Sequence, residues 1–434
     1  MTFDNSTFTN NKAGNNGGVL CHHGGNLFTV NDSKFEYNSG ACGGVIWADN
    51  IFAIGHSVFN QNTGTEGGAI YTHASFTIKD SEFELNTSTS VGGAIESTST
   101  GAKGHIENST FISNVSGNAG GAIINRGIDT LVSGCTFEGN QAATNGGAFC
   151  TDAEITINAQ TTFTSNQAGN IGGAIYFTKS EAVGNVEECM FSDNKSGTAG
   201  GAIHNKGKDT LISGCTFEKN QATTNGGAIC TDDSLKIEGT WFSENQTNAG
   251  SNKGGGAIFN SYDKTVTIDD CTFSLNKAIK PSNDNSYGGA IYMNNGQLVM
   301  GNTKGSYFER NEATYGGAIY ISDIASAILK GTEFTSNTAE SEGGAIKFAG
   351  TTLTIDGCRF ADNKAIQGDV YGHDIKMAAP TRIPTIQNSE FDPARMRSSD
   401  GKSYAYIDGG GNKTPYLDTE QDGGNDEDEE IVIP

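Results

Sequence analysis

Apolar residues occur along this chain in short strings of two to five, each cut off by Gly, Asn, Ser, Thr or Asp, and none shows a helical period. Two tags punctuate the strings. Fourteen times a Phe is followed three residues later by Asn, from Phe8/Asn11 to Phe360/Asn363. Thirteen times a Gly-Gly pair leads into Ala-Ile or a near equivalent, from Gly17-Gly18-Val19-Leu20 to Gly343-Gly344-Ala345-Ile346. The tags alternate with a period of 24 to 35 residues, most often 26. A fixed period in this range marks a stack of like supersecondary units, each contacting its neighbours.

Each unit holds three apolar pieces. Residues 172–177 (Gly-Gly-Ala-Ile-Tyr-Phe) read as one strand, 184–187 as a turn into the next, and Cys189-Met190-Phe191 as the closing strand. The middle piece is clearer in Phe76-Thr77-Ile78 and Leu353-Thr354-Ile355. Strands this short, with no helix between them, exclude βαβ units and predict a right-handed, single-stranded parallel β-helix of about fourteen rungs. The tags then take structural roles. Phe111, Phe137 and Phe217 are expected to stack inward from rung to rung. Asn114, Asn140 and Asn220 are expected to tolerate left-handed backbone at a corner and bond its amides. Gly-Gly allows a sharp, Cβ-free entry into the next strand.

Residues 117–152 and 197–232 are identical at 28 of 36 positions, as if three repeats had been copied together. The stretch between Asn and Gly-Gly lengthens at Gln246–Gly254 and Lys277–Tyr287, and neighbouring insertions on one edge often mark a binding face. The pattern fails after Gln367, where Gly368-Asp369-Val370-Tyr371 reads as a decayed Gly-Gly tag. The chain is therefore expected to divide into a β-helix over 1–363, an irregular terminal coil over 364–397 and an acidic, Gly-rich linker or tail over 398–434.

A formal charge of −23 argues against nucleic acid and anionic membrane surfaces as partners. No apolar run is long enough to span a bilayer as a helix. Five of the nine cysteines (Cys135, Cys189, Cys215, Cys271, Cys358) lie two residues before a tag Phe, on the same strand face, and are expected to be buried thiols. Cys150 and Cys230 are three repeats apart, too far for a disulfide.

Thirteen ordered alternations of Gly-Gly-Ala-[Ile/Leu/Val] with Phe-x-x-Asn closely resemble the repeats of chlamydial-type polymorphic outer membrane proteins, over roughly residues 3 to 363. The resemblance implies an autotransporter-passenger-like β-helix, displayed at the cell surface and engaged in adhesion to a host or neighbouring-cell protein or glycan. In that family the Phe-x-x-Asn elements are linked with attachment. It further implies an export signal and a membrane barrel, both expected in sequence outside these 434 residues, so any membrane contact would run through them.

Many parallel β-helices also resemble pectate lyases and polysaccharide hydrolases, the competing class. A glycosidase needs two carboxylates within about 5 to 9.5 Å. Asp152 and Asp232 are three rungs apart, about 14 Å at the usual strand spacing. Lys206 with Asp209 is the nearest lyase-like pair, and no convergent site assembles around it. His22 and His23 read as a solvated pair, and no metal or other cofactor is expected. The residue after each Gly-Gly-x-Ile varies freely and is expected to face solvent. Phe259, Tyr292 and Tyr320, beside the insertions carrying Lys253 and Lys280, form the candidate ligand-binding patch.

Overall fold

The computed structural model describes residues 1–248, 253–280, 284–367, 374–377 and 384–391, and the backbone of Ile407–Asp408. The chain divides into two compact units, Met1–Thr223 with Gly227–Lys236, and Thr224–Gly226 with Ile237–Pro434. Each is a right-handed parallel β-solenoid, and together they hold about fourteen turns, as the repeat count predicts.

In the first unit each coil after the first contributes a strand to each of four parallel sheets. The strand after Gly-Gly (for example Ile123–Asn125) is followed by a four-residue strand (Thr130–Ser133), the Phe strand (Thr136–Glu138) and a short strand (Gln141–Ala142). Identical tag positions pair in register, Phe111 with Phe137 and Ile70 with Ile95. The fourth strand is absent from the sequence reading. Two residues with one inward Ala or Ser cannot display a period of two.

The tag Phe side chains line one inner face. Rings of successive coils stack at 4.9 Å for Phe83–Phe111 and 4.8 Å for Phe111–Phe137, and Phe217 lies 4.6 Å from Phe191. Each of these is fully buried, which contributes about 1.5–3 kcal/mol per ring. The Asn column closes the adjacent corner. Asn114 Nδ2 donates forward to Asn140 Oδ1 (3.0 Å) and back to Phe83 O (2.9 Å). Its Oδ1 accepts the backbone N–H and Nδ2 of Asn86, both at 3.0 Å. Every polar capacity of the buried amide is thereby used. Asn220 accepts the same pair of bonds from Asn194.

The left-handed residue of this corner is not the Asn but its predecessor, with φ of +55° at Leu85, +53° at Ser113 and +55° at Lys219. Asn holds the bend from the side, so the strained position itself accepts almost any residue and carries no sequence signal. Asn86, Asn114 and Asn194 each open an Asn-x-Ser sequence of the kind that accepts a glycan, but they are fully buried and so out of its reach.

Two residues before each tag Phe from Phe35 onward stands a buried Ser, Thr or Cys. Ser33 N–H donates to Ser57 Oγ (3.1 Å), and Ser57 Oγ to Gly55 O (2.7 Å). Cys189 imitates this, its N–H meeting Cys215 Sγ at 3.4 Å and its thiol facing Glu187 O at 3.1 Å. These thiols are buried as expected, yet they act as soft substitutes for hydroxyls rather than as small hydrophobes.

The second unit repeats the plan. Its Phe rings stack at 4.5 Å for Phe273–Phe308 and continue through Phe360–Phe391 at 4.8 Å. The insertions split the short strand, so that Lys253–Gly254 and Ser286–Tyr287 pair as additional strands. Beyond 363, Ile375–Met377 and Thr385–Gln387 pair in register with the preceding coil. Ile375 lies opposite Ile346. Ile375 thus takes the Ile position of a tag, while the Gly368-Asp369-Val370-Tyr371 reading lies outside the described residues. The Asn column ends there, with Asn363 Nδ2 donating to Asp374 Oδ1 at 2.9 Å. The tail of 398–434 lies outside the described residues apart from Ile407–Asp408, whose backbone pairs with Thr385–Ile386.

Candidate functional site

The chain enters each Gly-Gly strand through a re-entrant corner. The first Gly has φ between +53° and +73° at every tag. A Cβ on Gly67 would sit 2.1 Å from Ile70 O, and one on Gly68 would sit 2.0 Å from Gly93 O in the next coil. The bend is so tight that the residue after Ile, although its side chain leaves the outer face of the strand, lies against the Cβ-free Gly. A Cβ on Gly146 would be 3.1 Å from Cys150 Cβ. Because the corner is concave, this row forms the floor of a trough.

That geometry corrects the expected exposure. Phe259 is 6% exposed and Tyr292 5%, and Tyr320 is half-buried. In the first unit Glu96, Cys150, His204 and Cys230 are buried in the same row. Burial pushes the Glu96 carboxyl up to about 7, against the opposing pull of Arg126, whose guanidinium bonds it at 2.8 Å. Free variation along the row therefore reflects a floor where neighbouring coils pack side by side, not an outward strand surface.

In the second unit the floor is aromatic. Phe259 meets Tyr292 edge-on at 5.0 Å, and Tyr292 meets Tyr320 at 5.1 Å. Tyr287, from the second insertion, lies 4.5 Å from Tyr320 and stacks on Tyr315 at 5.4 Å. Burial, with the neighbouring phenols, raises the Tyr292 hydroxyl to about 12 and pushes that of Tyr320 higher still. Tyr287, Tyr315 and Tyr320 each keep part of their surface open, so the insertion adds a tyrosine wall to the floor that sequence reasoning found. Lys253 is half-buried, and Lys280 is held by Glu340 at 2.6 Å.

The residues weighed for carbohydrate chemistry do not converge. Lys206 Nζ lies over the Tyr176 ring at 5.6 Å, and Asp152 faces Lys179 at 3.8 Å. His23 pairs with Asp49 at 3.1 Å, while His22 packs edge-on against Phe28. One cluster lies outside the sequence reading. His204, Cys230 and Asp232 bring one ligand atom each within 4.8 Å of one another, with His204 Nε2 3.2 Å from Asp232 Oδ2. Burial opposes protonation of His204, but Cys230 and Asp232 outweigh it and raise its pKa to about 9. The partners are a whole coil apart in sequence, so no short motif announces them.

A four-sheeted parallel solenoid, laddered by Phe and Asn and grooved by a tyrosine-lined trough, defines a repeat-built scaffold. Seven segments, residues 5–22, 56–73, 134–152, 160–178, 188–206, 214–232 and 270–294, match the Chlamydia polymorphic membrane protein repeat. The chain carries this repeat in those segments, and the proteins built from it are surface proteins of the outer membrane and cell envelope. No curated protein matches the chain as a relative.

Proposed function

We propose that the protein is an adhesin that contacts a ligand on a host or neighbouring cell through the trough of its second unit. The observation that carries this reading is the group of half-open phenols, with Tyr320 edge-on to Tyr287 and to buried Tyr292, and Tyr315 stacked on Tyr287. Tyrosines fixed by their neighbours lose little entropy on binding and offer both a flat apolar face and a hydroxyl. That combination suits the face of a sugar ring, so a surface glycan is the favoured ligand, with Lys253 and Lys280 at the rim. Phe259 and Tyr292 act as support rather than contact.

The test is attachment of the purified chain to intact cells. Tyr315→Ser with Tyr320→Ser is expected to lower attachment about tenfold, while circular dichroism stays unchanged. Periodate treatment of the cells should abolish binding, and protease treatment should spare it. Loss after protease alone would make the ligand a protein, and unchanged attachment by the double variant would reject the trough.

A further inference from the structure

We propose that His204, Cys230 and Asp232 form a divalent transition-metal site of the zinc class in the first unit. His204 and Cys230 occupy register-paired positions on adjacent coils, and Asp232 follows Cys230 by two residues, reaching back to the imidazole. The solenoid thus sets thiol, imidazole and carboxylate side by side by stacking alone.

The His204–Asp232 distance suits a tetrahedral ion. Ligand atoms bound at about 2.0–2.1 Å stand roughly 3.3 Å apart in a tetrahedron, and sulfur at about 2.3 Å lies slightly farther from its neighbours. The His204–Asp232 separation of 3.2 Å agrees with this. The site is also enclosed: the His204 side chain is only 7% exposed and the Cys230 thiol is buried beside it. One soft sulfur with one nitrogen and one oxygen favours zinc, or cobalt in its place, over calcium or magnesium, which prefer all-oxygen sites. Binding releases the thiol proton and any proton on the imidazole to solvent, and a water completes the coordination.

The copied triplet supplies an internal control. Residues 124, 150 and 152 correspond to 204, 230 and 232, and the first copy keeps Cys150 and Asp152 but carries Ile124 in place of the imidazole. Ile124 is buried and pairs with Cys150 as His204 pairs with Cys230. His204→Ile is therefore a substitution that the fold already accommodates one triplet away.

The experiment uses the whole 434-residue chain, stripped of metal, in a background where the accessible Cys21 and Cys42 are serine. Cobalt titration is expected to develop a thiolate-to-metal absorption band that saturates at one equivalent. Zinc should bleach it, and competition with a chromophoric chelator gives the zinc affinity. Cys230→Ser should abolish the band, and His204→Ile should weaken zinc by at least about tenfold with the metal-free melting temperature retained. Absence of a band in the parent chain would overturn the proposal, as would a band and affinity unchanged by His204→Ile.

Discussion

Replacing Asn114 by Ala removes one rung from a column that runs in a single direction. Asn86 N–H loses its acceptor at 3.0 Å, and Phe83 O loses the donor at 2.9 Å. Two other groups are half-deprived. Asn86 Nδ2 keeps Phe59 O at 2.8 Å, and Asn140 Oδ1 keeps the backbone N–H of residue 114 at 3.0 Å. A buried group left without a partner costs about 1–3 kcal/mol, so the variant should lose about 3–5 kcal/mol once the vacated amide volume is included. Total stabilities of domains lie near 5–15 kcal/mol, so the change is large. Asn118 is exposed, and its replacement by Ala should stay within about 0.5 kcal/mol. Asn114→Asp should fare no better than Ala, because a carboxylate can accept from Asn86 but cannot donate to Phe83 O or Asn140. The column tolerates Asp at its end, where Asp374 only accepts from Asn363. Urea unfolding followed by circular dichroism gives the cost, and hydrogen exchange should lose protection first in coils 81–143. A loss below about 1 kcal/mol, or one equal to that of Asn118→Ala, would refute the reasoning.

Phe137→Ala opens a gap between rings stacked at 4.8 Å on both sides and should cost about 3–5 kcal/mol by the same urea assay. Glu96 has a folded pKa of about 7 against an ordinary 4.5, so its contribution is complete below pH 4.5 and is lost as pH rises to 7. Relative to Glu96→Gln, the wild type should therefore lose up to about 3 kcal/mol between those limits, and parallel stability curves for the two would reject the assignment. Native alkylation should modify Cys21 quickly and Cys42 slowly. The thiols of Cys135 and Cys150, raised by burial to about 11 and about 12, should react only after unfolding, which mass spectrometry of the labelled peptides reads directly.

The solenoid was legible because Phe and Asn each perform one job at one fixed offset, and the job requires that residue type. Phe111 and Asn114 show this: ring stacking needs the aromatic, and the four-way amide bonding needs Asn. What stayed hidden is what neighbouring coils create together. The left-handed bend at Leu85 or Lys219 is imposed by the following Asn, so its own residue type says nothing. Burial of Phe259 and Tyr292 follows from a concave corner that an alternating strand pattern does not encode. Tyr287 and Tyr315 reach the candidate patch from the strand before Gly-Gly, which read as linker. His204, Cys230 and Asp232 converge only after one coil lies on the next, where a scan for closely spaced ligands finds nothing.

The proposed adhesin should bind a cell-surface glycan without cleaving it. Incubating the folded chain with a labelled glycan fraction from target cells and separating the mixture by size tests both halves at once. The expected result is a saturable complex that returns the label at its original length on dissociation. Shortened or unsaturated fragments, or the absence of any complex at saturating chain, would contradict it.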